Sequence, residues 1–432
     1  MFVVLSGINS WWIALAAGLT AAWFYWRWPI WGLGLVLFSA PLYLIKLSAG
    51  WLPMTLLEVV LVSVCLSWFF KKISERQKTD WRLAVWQQSE IFWPLVLLLG
   101  GAILATAISF DKMASLGILK SWLIEPMIFA GLIHQELKNQ RHLKILMGAL
   151  IAGALGVALI SLEYLFAGRL TYDSRLAAIF LSPNHLAMAM APGLILCLGW
   201  LTTAKSKISF LVLGPAAALI GLVFYFTFSY ATWLAVWLAL VFLLVVLWRK
   251  KIFSRRWAVW AAAILAAAIL AAVILQLPGA KIADLLKFDR SSWRSRLMVW
   301  QAAGAILKDH WVLGIGPGMF QQFYLDYQKY FPPYLEWAVP QPHNLFLAWW
   351  LQAGLAGIIG FLWLLKKFFS RIKENLKPSF WGKEGVLTVI LAAVMVYFII
   401  HGFVDTPYWK NDLALVFWAI TVLGYKAGRL GD

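Results

Sequence analysis

The sequence predicts an all-α fold, a polytopic transmembrane helical bundle of about 12 to 13 spans with one long external, partly helical loop. Of the 432 residues, 62% are hydrophobic and only 13% are charged. A soluble domain would be about a quarter charged. Apolar runs long enough to cross a bilayer also recur from one end of the chain to the other. A transmembrane barrel would instead show alternating segments of about ten residues.

The candidate spans are the apolar runs, each close to the length of about 20 residues that crosses the hydrocarbon core. In chain order they cover residues 11–26, 29–46, 52–70, 91–109, 113–133, 143–166, 186–204, 208–226, 228–247, 257–276, 344–365, 385–404 and 411–427. The first two runs are short. If both cross the membrane, the N-terminus lies outside, and if they form one span or a re-entrant pair, it lies in the cytoplasm.

The chain accordingly divides into three parts. Residues 1–276 form an N-terminal transmembrane bundle, residues 277–343 a large external loop, and residues 344–432 the C-terminal transmembrane helices. Loops longer than about 15 residues are usually functional or disordered. This loop contains aromatic residues and a helix-like middle, so we expect it to be folded and functional.

The basic residues orient the bundle. The chain has a net charge of +18, and its lysines and arginines cluster in short loops that the span count places on one side: Lys71–Lys78, Lys138–Lys144, Lys205–Lys207, Arg249–Arg256 and Lys366–Lys373. The positive-inside rule assigns that side to the cytoplasm. Segments 167–185, 277–343 and 405–410 are then external. This distribution is not the basic stripe of a nucleic-acid-binding protein, so the expected surroundings are a lipid bilayer and no nucleic acid.

Several arginines depart from this rule because they lie in external loops. Arg175 lies in the first of these loops, and Arg290, Arg294 and Arg296 lie in the large one. A guanidinium group binds phosphate through paired hydrogen bonds, so an anionic partner is the natural expectation. The ordinary alternatives are arginines that reach lipid headgroups or solvent from amphipathic helices.

His343 is the most suggestive of the external histidines. It precedes Asn344, a good N-cap for the helix that follows, and this places an imidazole at the mouth of the bundle. Asn184 similarly stands before an apolar run and is predicted to cap a helix. Asp405 lies on the same external side and could orient a cation there. An interfacial histidine beside an ordinary helix cap is the alternative for His343.

Glu58 and Glu125 lie inside apolar runs, where ionisable residues are functional candidates. Neither has an obvious basic partner in the sequence. Such carboxylates suit a membrane transporter or flippase of polyprenyl-linked or amphipathic substrates, and that is the alternative function.

Motifs for metals and nucleotides are missing from the sequence. There is no Asp-x-Asp pair, P-loop or His-Glu-x-x-His motif, so no metal and no cofactor are expected. The segment Gly314-Ile-Gly316-Pro-Gly318 lacks the Lys-Ser/Thr that completes a phosphate loop. It is therefore predicted to form a turn after a helix.

Separated motifs in the second half of the chain follow one order and spacing. They are Arg175 with Ser182-Pro183-Asn184-His185-Leu186-Ala187, Arg296-Leu-Met-Val-Trp300, Gly314-Ile-Gly316-Pro-Gly318-Met-Phe320, His343-Asn344-Leu with Trp350-Leu-Gln-Ala-Gly354, and His401-Gly402 with Asp405 and Asn411. Together, across roughly residues 170–420, they resemble the O-antigen ligase/polymerase family of bacterial envelope enzymes. The first 150 residues match only as generic spans.

The resemblance implies a metal-independent, inverting glycosyl transfer. The donor would be an undecaprenyl-diphosphate-linked glycan and the acceptor a hydroxyl of a glycan or lipid. The site would lie on the periplasmic or extracellular face of a multi-pass protein of the bacterial inner membrane, which serves lipopolysaccharide or other surface polysaccharide synthesis. An O-antigen ligase, a polymerase and a protein-directed O-oligosaccharyltransferase all fit this chemistry.

The same resemblance suggests roles for individual residues. His343 would be the general base, Arg175 and Arg296 would hold the diphosphate leaving group, and Asn184, Asn344 and Asp405 would support them. One departure is visible, because the family often has Ser-Arg where this chain has Ser229-Tyr230. The number of diphosphate-binding arginines is therefore open, and Arg294 or Arg290 could substitute.

Overall fold

The fold is an all-α helical bundle, as predicted. The computed structural model describes residues 8–49, 52–75, 90–202, 204, 206–275, 292–332, 338–377 and 383–430. The first group of helices is α1 (Ile8–Arg27), α2 (Pro29–Phe38), α3 (Leu56–Ser74), α4 (Phe92–Ile108) and α5 (Lys112–Glu136), the last with a π-helical segment at Leu119–Ile124. The second group is α6 (Gln140–Phe166), α7 (Pro183–Leu201), α8 (Lys207–Phe226), α9 (Tyr230–Arg249) and α10 (Arg255–Ile274). The last group is α11 (Ser292–His310), α12 (Phe320–Tyr327), α13 (Leu345–Asn375), α14 (Lys383–Gly402) and α15 (Asn411–Ala427).

Membrane-length helices recur along the chain. Within the described ranges, 7 helices are long and apolar enough to cross a membrane, namely α5, α6, α7, α8, α9, α13 and α14. Five further helices, α1, α3, α4, α10 and α15, occupy other apolar runs that the sequence marks as spans. The protein is therefore a multi-pass membrane protein.

The span predicted at 29–46 is wrong. Helix α2 ends at Phe38 after 10 residues, which is about 15 Å and half of the hydrocarbon core. The reason is Pro41, whose ring and missing N–H oppose helix at and before it. The chain instead forms a 3₁₀ turn at Ala40–Leu44 and an antiparallel hairpin of β1 (Lys46–Ala49) and β2 (Leu52–Thr55). The hairpin also takes the first residues of the span predicted at 52–70.

Close helix packing joins α4 to α13. A Cβ atom at Gly101 would lie 2.5 Å from the carbonyl oxygen of Ala353, and one at Gly360 would lie 2.5 Å from the backbone nitrogen of Leu98. Glycines at such contacts let two helix backbones approach closely, which is the usual way to pack helices in lipid. Helix α13, whose first residue follows Asn344, is thereby held firmly in the bundle.

Helix α13 breaks at Gly354, where φ is +67° and ψ is −171°. The break removes helical hydrogen bonds, and the turn after α11 replaces them. The Ile315 amide donates to the Leu351 carbonyl at 2.6 Å, and the Leu355 amide donates to the Val312 carbonyl at 2.9 Å. Irregular backbone inside a membrane protein is tolerated when neighbouring segments satisfy it in this way. The glycine-rich segment 314–318 is thus a turn, as predicted, and it docks on the broken helix.

The described part of the predicted external loop is folded around a small core of its own. Val299 and Ile306 of α11 pack with Ile315, Phe320 and Tyr324, and the cluster continues into α13 through Leu351. The predicted division of the chain at residues 276 and 343 stays a prediction.

Candidate functional site

A histidine and an aspartate form the centre of the site. Nδ1 of His343 lies 3.2 Å from Oδ1 of Asp405, and Nη2 of Arg296 lies 3.8 Å from Oδ2 of the same carboxylate. Asp405 is buried in the connection between α14 and α15. Burial alone would raise the pKa of Asp405, but His343 and Arg296 beside it hold that pKa well below its usual range. The carboxylate is therefore ionised at neutral pH and can orient the imidazole.

Local structure fixes the position of His343. Its φ is +47°, a left-handed conformation that non-glycine residues rarely adopt and that is common at functional sites. Asn344 is the N-cap of α13, as predicted, because its Oδ1 accepts from the amides of Phe346 and Leu347 at 3.0 Å. The side-chain Nδ2 of Asn344 also donates to the Phe403 carbonyl at 3.0 Å. Asn344 thus connects the backbone next to His343 to the segment that carries Asp405.

The two candidate arginines of α11 differ in position. Arg296 has a side chain only 13% exposed and faces Asp405. Arg294 is exposed and lies two residues earlier, about 200° around the helix axis. The geometry therefore brings Arg296 to the histidine and places Arg294 on another face of the helix. Arg290 lies outside the described residues.

Arg175 is held by the protein on several sides. Its Nε donates to the Thr227 carbonyl at 2.8 Å, its Nη2 donates to Oδ1 of Asn184 at 2.6 Å, and its Nη1 lies 3.7 Å from Asp173. Burial lowers the pKa of Arg175, and Asp173 opposes this shift. A guanidinium group has five N–H donors, so these contacts leave donors for an anion.

The predicted cap at Asn184 is wrong. The N-cap of α7 is Ser182, whose Oγ accepts from the His185 amide at 3.2 Å. Pro183 then takes the first helical position, where its missing N–H costs nothing. Asn184 lies inside the first turn, and its side chain is turned toward Arg175 instead.

A chain of hydrogen bonds runs from Arg175 toward Asp405. Oδ1 of Asn184 also accepts from Oγ of Ser229 at 3.0 Å, and that hydroxyl lies 2.8 Å from Oγ1 of Thr232. Oγ1 of Thr232 lies 3.4 Å from Nε2 of His401, whose carbonyl accepts from the Asp405 amide at 2.9 Å. The segments around Arg175 and His343 thus belong to one polar network.

A comparison with protein families matches part of the chain. Residues 215–362 match the model of the O-antigen ligase family. This segment, about a third of the chain, is similar to that family. The resemblance found in the sequence is confirmed over this segment, and it supports glycan transfer of the O-antigen ligase or polymerase type in general. The family implies lipid-linked glycan and acceptor substrates in a membrane. A search of curated proteins finds no match.

The segment that matches the O-antigen ligase family holds part of the site. Ser229, Thr232, Arg296 and His343 lie within it, whereas the residues around Arg175 and Asp405 lie on either side of it in the sequence. Thr232 was not selected from the sequence as a site residue, and His401 was named only as part of the motif His401-Gly402. Ser229 was noted only where the chain departs from the family. The departure from the family at Ser229-Tyr230 nevertheless indicated this region of the site, because Tyr230 interacts electrostatically with Arg175.

A second histidine–aspartate pair lies outside the segment that matches the O-antigen ligase family. Nε2 of His185 is 3.2 Å from Oδ2 of Asp412 and 3.2 Å from the hydroxyl of Tyr43. His185 and Asp412 are 1% and 3% exposed. At that burial the pair joins the 3₁₀ turn, α7 and α15 rather than meeting a substrate. His343, at the partly exposed end of the network, is the better candidate for chemistry.

The two membrane carboxylates have a basic partner after all. Nζ of Lys120 lies 3.4 Å from Glu58 and 3.6 Å from Glu125. Lys120 is on the π-helical segment of α5, and Glu58 caps α3 by exchanging hydrogen bonds with Thr55. Sequence spacing could not reveal this group because it joins two helices. One lysine balances only one of the two carboxylates, so the group keeps a net negative charge and the transporter alternative keeps its candidate residues.

The side chains that could coordinate a metal ion are scattered. In the ranges that the structure describes, no group of three or more His, Cys, Asp or Glu side chains is placed to hold one. The charged or ionisable side chains that the structure brings together here include Arg175 with Asp173, and Arg296 and His343 with Asp405.

Proposed function

We propose that this protein transfers a glycan from an undecaprenyl-diphosphate-linked donor to an acceptor hydroxyl at the external face of the bacterial inner membrane. The observation that supports this proposal most directly is the contact of His343 with Asp405 beside Arg296. A base, a group that orients it and a cation for a phosphate meet there within one polar cluster.

His343 acts as the general base. Its Nδ1–H donates to Asp405, and this tautomer gives Nε2 the lone pair that accepts a proton. The acceptor hydroxyl loses its proton to Nε2 while its oxygen attacks the anomeric carbon of the donor sugar. The bond between that carbon and the diphosphate oxygen breaks, and undecaprenyl diphosphate leaves with the electron pair. Attack opposite the leaving group inverts the configuration at the sugar.

Arg296 and Arg175 stabilise the leaving group. A diphosphate needs its growing negative charge balanced rather than a proton donated to it, and guanidinium groups can do this without a metal ion. The hydrogen-bond network through Asn184 and Ser229 sets the orientation of Arg175. Catalysis is thus divided between one base and two phosphate-binding arginines.

The first test compares the two arginines of α11 in a reconstituted transfer assay with a lipid-linked glycan and an acceptor. Arg296→Gln is expected to lower the transfer rate by about 100-fold, since one charged contact to a transition-state oxyanion contributes roughly that much. Arg294→Gln is the matched control and should change the rate by less than about threefold. Equal losses in both variants would show that Arg294 also holds the diphosphate. Full activity in Arg296→Gln would contradict the assignment.

Asn184→Ala tests the link to Arg175. The rate of transfer is expected to fall by about 10- to 100-fold, because the guanidinium loses the acceptor that orients it. Asn184→Asp keeps that acceptor and should recover most of the activity. A variant without effect would remove Asn184 from the site.

The acceptor separates the ligase from the polymerase within this proposal. A cell that lacks a ligase accumulates lipid-linked polymer that is not attached to its acceptor, whereas a cell that lacks a polymerase shows single repeat units. Deletion of the gene followed by electrophoresis of the surface glycans distinguishes the two. Modified protein as the missing product would indicate a protein-directed O-oligosaccharyltransferase.

A further inference from the structure

A groove on the side of the bundle lies away from the proposed catalytic cluster in sequence and structure. It runs between α2 and α6, with Phe24 of α1 at one edge, and it has a volume of about 510 Å³. We call it the α2–α6 groove. It opens along its length rather than forming a closed cavity, so a chain-like ligand can enter it from the side.

One helical face of α2 and one of α6 form the walls. Trp31, Gly34, Leu35 and Phe38 follow the i, i+3, i+4, i+7 spacing that places residues on a single face of α2. The small residues Gly148 and Ala149 provide the floor on α6. A Cβ atom at Gly148 would have no heavy atom within 4 Å, so the space above it is open. The walls are apolar and suit a hydrocarbon chain.

One end of the groove is positively charged. Arg141 and Lys144, three residues apart in the first two turns of α6, both line it and are exposed. Neither makes an ion pair within the described part of the chain. The positive end of the α6 helix dipole lies at the same place. An anion is therefore favoured here by two side chains and the helix terminus together.

We propose that the α2–α6 groove binds one acyl chain of an anionic phospholipid whose phosphate lies at Arg141 and Lys144. The apolar walls favour binding of the acyl chain, and the positively charged end favours a headgroup with a net negative charge. Basic pockets between transmembrane helices on the cytoplasmic side are known binding sites for anionic headgroups. The basic loop that contains Arg141 is one of those that the positive-inside rule assigns to the cytoplasm.

The test is native mass spectrometry of the full-length purified protein with phosphatidylglycerol and phosphatidylethanolamine of identical acyl chains. The wild-type protein should retain the anionic lipid about 10- to 30-fold better. Arg141→Gln/Lys144→Gln should bring this preference close to one. Arg255→Gln/Arg256→Gln, which removes two exposed charges outside the groove, should keep it. Equal retention of both lipids by the wild type, or an unchanged preference in the Arg141/Lys144 variant, would overturn the proposal.

A second variant separates the chain from the headgroup. Gly148→Leu fills the open space of the groove without changing any charge and should lower retention of both lipids at least threefold. Equal thermal unfolding temperatures of the variants confirm that each is folded. Retention of both lipids by Gly148→Leu as in the wild type would contradict binding in the groove. So would displacement of phosphatidylglycerol by an equal amount of a polyprenyl diphosphate, because the groove would then belong to the donor.

Discussion

Replacing His343 by alanine is expected to slow glycan transfer by about 10²- to 10⁴-fold, the usual contribution of a general base. The variant removes the group that takes the proton from the acceptor hydroxyl and leaves the arginines in place. The effect should therefore fall on the catalytic rate constant more than on the apparent affinity for the donor. Initial rates at several concentrations of donor and acceptor in reconstituted membranes measure both quantities.

His310→Ala is the matched control, because this histidine ends α11 and packs edge-to-face against Phe323 instead of contacting the polar cluster. It should keep at least about a third of the wild-type rate. Full transfer by His343→Ala at normal protein levels would rule out the proposed base. If Glu58→Gln and Glu125→Gln were instead the inactivating changes, the transporter or flippase alternative would be favoured.

Replacing Gly314 by alanine is expected to destabilise the docking of the loop on α13 by about 2 to 5 kcal/mol. Gly314 has a φ of +73°, and a Cβ atom there would lie 2.4 Å from the Leu351 carbonyl oxygen. The side chain would push apart the turn and the broken helix. Since α11 leads directly into this turn, Arg296 would move as well. Thermal unfolding and limited proteolysis of the purified protein measure the first effect, and the transfer assay measures the second.

Gly304→Ala provides the comparison within α11. A Cβ atom at Gly304 has open space around it, and alanine favours a helix over glycine by about 0.5 to 1 kcal/mol. This variant should be as stable as the wild type or slightly more so. A Gly314→Ala protein with wild-type unfolding and protease resistance would show that the turn does not hold the loop.

The apolar runs predict most helices because lipid exposure acts on each segment by itself. For the span predicted at 344–365, the apolar run predicts the start of the helix but not its end. Helix α13 begins at Leu345, next to the predicted cap, but continues to Asn375 beyond the apolar run. Hydropathy reports the length inside the bilayer and says nothing about a helix that extends into water. The failure at 29–46 has another origin, since a single proline outweighed the hydropathy of the run.

The candidate site was less accessible to sequence reasoning. His343, Asp405, Arg296 and Arg175 could be selected because polar residues stand out in the loops of an apolar chain that are predicted to be external. Their contacts could not be derived, because Asp405 reaches His343 across the space between two helices. The roles assigned to these residues stay predictions. The break at Gly354 was also not predicted, and the hydrogen bonds that compensate for it come from the turn at 312–315, which is distant in sequence.

The lysine between two glutamates has a consequence for how the chain enters the membrane. A lysine or aspartate in the middle of an isolated apolar helix costs about 2.5 to 3.5 kcal/mol on insertion. Helix α3 precedes α5 in the chain, so Glu58 has left the ribosome before Lys120 emerges. The carboxylate of Glu58, which lies 3.4 Å from Lys120 in the folded protein, lowers the free-energy cost of inserting α5 into the bilayer. Helix α3 is therefore in place before α5 is synthesised, and α5 becomes stable in the membrane when it packs against α3.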